Sequence, residues 1–195
     1  MFAELLRRKL SGILELADAQ VEVLEAHYRL LMRWNPVLNL TSLNSLDEIV
    51  ERHYAESLFL AAHLPPRPLR LADVGSGAGF PGIPAAVARA DCSVTLIESH
   101  QRKAVFLREA TRQIPNIRVL AQRAEDVKEQ FECAISRAVS YQDLAPIMKN
   151  LATSVDLLTG EERPSADLGF VWQEPIRLPW GKNRFLRISV SRETC

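Results

Sequence analysis

The apolar positions along this chain change period once. Up to about residue 63 they recur at helical spacing. Leu6, Leu10, Ile13, Leu14 and Ala17 share one face of a first predicted helix over 3–16. Val21, Leu24, Tyr28, Leu31 and Met32 line a second, with Asp18 as its predicted N-cap and Asn35-Pro36 as its stop. Ser45, with Glu48 three residues on, forms a capping box for a third helix running to about His63. Leu64-Pro65-Pro66-Arg67-Pro68 is a stiff connector and the predicted boundary between a helical cap (1–64) and a second domain (65–195).

From Leu69 the apolar runs shorten and alternate. Strands are predicted at 69–74, 93–98, 117–120 and 132–136, and helices at 83–89, 100–113 and 124–130. That order implies βαβ units: an α/β fold with a mostly parallel sheet and helices on both faces. A helix from Tyr141 to Leu151 and a strand from Val155 to Leu158 follow. Phe170–Glu174 and Phe185–Val190 are predicted as a terminal strand pair, with IRLPWGKN as the loop between them.

Composition narrows this only a little. The chain has 195 residues, 47% hydrophobic and 25% charged, which suits one domain with a small appendage. Its 24 basic and 24 acidic residues cancel, so bulk charge does not point to nucleic acid, although local basic clusters remain. Cys92, Cys133 and Cys195 are scattered, with no CxxC pair. They fit isolated thiols in a reducing compartment, not a disulfide frame or a metal site. No apolar run is long enough to span a bilayer, and MFAELLRRKL lacks the apolar core of a secretory signal. A cytoplasmic protein without membrane or metal partners is expected.

The densest chemical signal is Asp73 to Pro84, DVGSGAGFPGIP. Glycine lacks a Cβ and tolerates positive φ, so such a turn brings bare backbone amides up to a ligand. Gly77, Gly79 and Gly82 fit the GxGxxG dinucleotide pattern. Asp73, Gly75, Gly77 and Gly79 fit the acidic-x-Gly-x-Gly-x-Gly turn of S-adenosylmethionine (SAM) methyltransferases. A dinucleotide brings an anionic pyrophosphate to this turn, which Asp73 would repel. SAM brings an ammonium and a sulfonium, which a carboxylate favours. Glu98, ending the second predicted strand, is spaced to hold ribose hydroxyls. Ala124 and Glu125 follow the third strand, where an adenine edge would lie. Arg137 follows the fourth, where an acceptor base would lie, and Arg52, His53 and Glu56 form a possible pocket roof.

Ser136-Arg137-Ala138-Val139 lacks the Asn/Asp-Pro-Pro-aromatic turn of amino-group methyltransferases. Cys133 sits inside a predicted strand, unlike the nucleophile of carbon-directed enzymes. A guanine N7 fits what remains, because it carries no proton to remove and asks only for positioning. The competing readings are a nucleotide-dependent oxidoreductase using Gly77, Gly79 and Gly82, a small-molecule methyltransferase, and a non-catalytic RNA-binding or assembly module.

Several segments together resemble one family. They are RWNPVLNLTS (33–42), RHYAESL (52–58), DVGSGAGFPGIP (73–84), LIESHQRKAVFL (96–107), RAED (123–126) and SRAV (136–139). The chain resembles the bacterial small-subunit (16S) ribosomal RNA guanine-N7 methyltransferases, also called glucose-inhibited division protein B. The resemblance implies a class I SAM-dependent (Rossmann-like) methyltransferase fold with an N-terminal helical cap. It implies SAM contacts at Gly75, Phe80, Glu98, Ala124, Glu125 and Arg137, and ribosomal RNA in the small subunit or its precursor as substrate. In the family Asp usually stands where this chain has Glu56 and Glu98, and a Lys-Gly after the fifth strand is replaced here by Thr159-Gly160. The helix that follows in the family is expected to be shortened in this chain.

Overall fold

The computed structural model describes residues 1–137, 147–160 and 170–190. The chain begins with α1 (Phe2–Leu10) and α2 (Asp18–Leu38). Next come α3 (Leu46–Ile49), a π-helical turn over Val50–Ala55, and α4 (Glu56–His63). The alternating part holds β1 (Arg70–Val74), α5 (Gly82–Ala88), β2 (Ser93–Ile97), α6 (Gln101–Ala110), β3 (Ile117–Leu120) and β4 (Phe131–Arg137). It closes with β5 (Ala152–Thr159), β6 (Ile176–Arg177) and β7 (Phe185–Ile188).

These strands form one sheet in the order β3-β2-β1-β4-β5-β7-β6. Pairing is parallel from β3 through β5, and β7 is antiparallel to both β5 and β6. The strand order reverses between β1 and β4. The carboxyl ends of those two strands flank the crevice where open α/β sheets bind ligands.

The helical segment and one sheet face share a continuous apolar cluster. It joins Phe2, Leu6, Leu24 and Tyr54 to Leu71, Ile83 and Leu96. A second cluster, with Ala72, Val74, Ala134, Val155 and Leu157, lies on the other face. Alternation along β1 accounts for the division: Leu71 and Asp73 point one way, Ala72 and Val74 the other.

The structure departs from the sequence reading at five places. The first helix ends at Leu10, with Gly12 following at φ +75°. In α2 the capping position belongs to Ala17, whose N–H donates to the Gln20 side chain, while Asp18 pairs with Arg7. That helix also runs past Pro36 to Leu38. A proline in a last turn removes few intrahelical bonds, and Asn39 in the left-handed conformation closes the end by donating to the Asn35 carbonyl. The predicted helix at 124–130 is a single 3-10 turn, Ala124–Asp126. The predicted strand at 170–174 is only an isolated bridge, Trp172 to Ser189, and the real partner of β7 is β6, inside the predicted loop. Half of the predicted capping box forms: the Glu48 N–H donates to the Ser45 hydroxyl, while the Glu48 carboxylate accepts from that hydroxyl instead of from the Ser45 N–H. Residues 147–151 are helical; the rest of the predicted 141–151 helix and the polar stretch at 161–169 lie outside the described residues.

Candidate cofactor cleft and the arginine beside it

The glycine turn leaves β1 with three left-handed residues: Gly75 at φ +71°, Gly77 at +55° and Gly79 at +91°. Space also demands glycine here. A Cβ on Gly79 would stand 2.4 Å from Ile83 Cδ1. One on Gly82 would stand 2.3 Å from Leu96 Cδ2 and 2.5 Å from Asp73 Oδ2. Gly82→Ala is therefore expected to lower stability by about 1–3 kcal/mol, as overpacking does. Urea unfolding checks this, and an unchanged midpoint would contradict the close packing.

Two carboxylates hold the turn from within. Asp73 Oδ2 accepts the Gly82 N–H at 3.0 Å, at the start of α5. Glu98 Oε2 accepts the Gly77 N–H at 2.9 Å, while Oε1 accepts the His100 N–H at 2.8 Å. A third brace comes from the helical segment. His27, on α2, meets the Ala78 carbonyl with Nε2 at 3.0 Å and the Tyr54 hydroxyl with Nδ1 at 2.9 Å. Burial lowers the His27 pKa to about 4, so the ring is neutral. Its Nε2–H donates to Ala78, and its Nδ1 accepts from Tyr54.

Asp73 is fully buried, and its Oδ1 has no hydrogen-bond partner among the described residues. Burial pushes its carboxyl up to about 7, against the opposing bond from the Gly82 N–H. Between about pH 4 and 7 the folded chain thus keeps a proton that the unfolded chain has released. Stability from this group falls as pH rises through that window. Asp156 acts in the same direction; His27 and His53, lowered by burial to about 4 and 3, act oppositely below about pH 6.5. Asp73→Asn is expected to stabilise the chain at pH ~8 by about 1–3 kcal/mol and less at pH ~5.5. Urea unfolding at both pH values checks it; an equal shift at both would refute the assignment.

A cleft of about 130 Å³ opens beside the turn, lined by Gly75, Ile97, Ser99, Arg123, Ala124 and Glu125. It brings together residues predicted from three separate strand ends, and Glu98 lies between two of its lining residues. Phe80 is buried, its ring stacked on His53 at 4.6 Å between centroids.

Arg137 ends β4, on the other side of the crevice. It is held through a chain of polar contacts that reaches back into the helices. Its Nη1 donates to His53 Nδ1 at 2.7 Å, and His53 Nε2 donates to the Thr41 hydroxyl at 2.7 Å. Burial first, then the neighbouring Arg137 charge, lowers the His53 pKa to about 3. The ring is neutral and both of its nitrogens are engaged. Arg137 also stands 3.9 Å from Glu56, a carboxylate only 2% exposed that accepts from Arg184 as well. Burial lowers the Arg137 pKa to about 10, which leaves the guanidinium charged at neutral pH.

Sequence reasoning missed two members of this network. Thr41 lay inside the family-like segment 33–42 but was assigned no role of its own. Arg184 stood only among loosely clustered basic residues; its register beside β7 brings it to Glu56, 128 positions away. Ala138 and Val139 lie outside the described residues. Among the described residues no group of three metal-binding side chains occurs, and no helix is long and apolar enough to cross a membrane.

Comparison with known proteins places this geometry. The family described as rRNA small subunit methyltransferase G matches residues 20–158. The chain belongs to this family. Proteins called ribosomal RNA small subunit methyltransferase G include one from Chromobacterium violaceum, 40% identical over 131 residues, 65% of this chain and 62% of that protein. Another, from Methylobacillus flagellatus, is 37% identical over 172 residues, 85% of this chain and 83% of that protein. The match therefore spans about three fifths of the first of these relatives. Among solved structures, a SAM dependent methyltransferase from Aquifex aeolicus superposes with a TM-score of 0.57 at 13% identity, covering 73% of this chain and 92% of that one. Aeropyrum pernix fibrillarin in complex with natively bound S-adenosyl-L-methionine gives 0.54 at 12% identity, covering 70% and 73%. The fold is thus that of the class I SAM-dependent methyltransferases. The methyltransferase G match takes in the glycine turn, Glu98, the Ala124–Glu125 turn and Arg137.

Proposed function

We propose that the chain transfers a methyl group from S-adenosylmethionine to N7 of a guanine in small-subunit ribosomal RNA, in the cytoplasm, with the RNA presented by the 30S particle or a precursor. Residues 1–64 serve as the cap and 65–195 as the cofactor-binding domain. The observation that carries this reading is the braced glycine turn, opening onto the cleft at the ends of β1, β2 and β3, in a chain of the methyltransferase G family.

The residues present fit that cofactor. Gly75 and Phe80 with the glycine turn, Glu98, and Ala124 with Glu125 would hold its methionine, ribose and adenine parts. SAM, when bound, supplies an electrophilic methyl group on a positively charged sulfur. Asp73 is buried, so it acts through its field and by fixing Gly82, not by contact. Its unpartnered Oδ1 lies beneath the turn, and the carboxyl becomes negative as pH rises through about 7, or sooner beside a cation. Its Oδ2 also occupies the Gly82 N–H at the start of α5, where a dinucleotide's pyrophosphate would bind. That favours a cationic cofactor over the oxidoreductase reading.

Arg137 is the proposed catalytic residue, orienting the acceptor base at the crevice. His53 becomes a positioning residue: it holds Arg137 through Nδ1 and is itself held by Thr41. A neutral ring with both nitrogens engaged suits an acceptor nitrogen that has no proton to lose. Arg52 and Lys182 add positive charge for the RNA backbone.

Tritium transfer from labelled SAM to small subunits from cells lacking the enzyme tests the reaction, and mass-spectrometric mapping locates the base. Label on one guanine N7 is expected. SAM binding without transfer would instead support the non-catalytic module. Glu98→Ala is expected to weaken SAM by about 1.5–3 kcal/mol, the scale for a charged acceptor. Calorimetry measures it, and unchanged affinity would remove Glu98 from the site.

A further inference from the structure

A second cavity, of about 350 Å³, lies at the amino-terminal end of the parallel strands, away from the glycine turn and Arg137. Leu69, just before β1, lines it, as do Glu132 and Cys133 at the start of β4. Leu64, Pro65 and Ile188 give it apolar walls. Such a volume is at the lower end of small-molecule sites.

One group in this cavity lacks a strong partner. Asp156, on β5, is 3% exposed and lines the space. The neighbouring Cys133 thiol, a weak donor, turns to the Ala134 carbonyl at 3.6 Å. Burial pushes its carboxyl up to about 7. Most of the other polar side chains are already engaged. The Ser154 hydroxyl donates to the Glu132 carbonyl, and the Ser189 hydroxyl accepts the Val155 N–H. His63 Nδ1 meets the Phe59 carbonyl, and Arg67 is paired with Glu132. The cavity thus offers one buried acid inside largely apolar walls, with the exposed Gln173 amide also lining it. A buried carboxylate is costly unless a donor or cation meets it. The Cys133 thiol is no nucleophile here, because burial raises its pKa well above the ordinary thiol value.

We propose that this cavity is a binding site for a small organic cation, a primary ammonium on a short apolar stem that ion-pairs with Asp156. The Arg67–Glu132 pair at its edge is neutral as a unit, which gives no attraction for a polycation. The apolar walls then select the stem, and the carboxylate selects the charge.

Benzylamine and its neutral counterpart benzyl alcohol serve as probes of the full chain, with calorimetry for affinity and amide NMR for location. Protonated benzylamine is expected to bind at least about tenfold more tightly than the alcohol, as a charge-assisted bond allows. The shifted amides are expected within 132–135, 154–156 and 188–190. D156N is expected to abolish the preference for the amine while leaving SAM affinity unchanged. Equal binding of the two probes, shifts confined to other residues, or a preference that survives D156N would each overturn the proposal. The comparison of the two probes on the native chain decides it even if the variant fails to fold.

Discussion

Glu56→Ala is expected to destabilise the protein by about 3–5 kcal/mol, because it strips the counter-charge from buried arginines. Glu56 is 2% exposed, and the side chains of Arg137 and Arg184 are 10% and 22% exposed. Its carboxylate lies on α4, Arg137 ends β4, and Arg184 precedes β7. One acid therefore ties the helical segment to both the crevice and the closing hairpin. Burial raises the Glu56 pKa, and the two arginines oppose that rise. Glu56→Gln keeps the shape and an acceptor oxygen, so it should cost less than the alanine. Urea unfolding of the two variants checks the order. If alanine and glutamine cost the same, shape and not charge is what Glu56 provides there.

Much of the geometry beside the glycine turn was legible in the residues, and the reason is local. The turn from Asp73 to Pro84 needs glycine for backbone angles and close approach, so its chemistry is written in consecutive positions. Glu98 was legible because the second strand ends at a fixed distance from the first. Parallel strands predicted at 93–98 and 117–120 match β2 and β3 closely; β2 is a short buried apolar run, and β3 is the half-buried edge strand beside it. The Arg137 network was not legible in the same way. Thr41, His53, Glu56, Arg137 and Arg184 meet only through tertiary packing, and none of those pairings has a fixed spacing. The roof helix could be predicted from Ser45 and Glu48, but the direction its His53 faces could not. Asp73 was misread for a related reason. A motif gives the order of residues but not their depth, and this carboxylate proves fully buried. The partner of β7 was misplaced because β6 is only two residues long, too short for alternation to register.

Arg137→Ala is expected to lower kcat on small subunits by about 100-fold, the scale for one preorganised donor at a reacting centre. SAM affinity should change much less, because the glycine turn and Glu98 are braced independently of β4's end by Asp73 and His27. The variant also carries a spectroscopic mark. His53 owes its low pKa first to burial and next to the Arg137 charge. Removing that charge should move the imidazole pKa upward, which a histidine NMR titration reads without any RNA present. Arg137→Lys keeps a charge but not the planar fork. It should leave His53 low and still lose turnover, if orientation of the base is what the guanidinium supplies. A lysine variant with full activity would reduce Arg137 to a point charge. An alanine variant that keeps turnover would place the acceptor elsewhere in the crevice. A shifted histidine titration with unchanged turnover would make the Arg137–His53 contact a purely structural clasp.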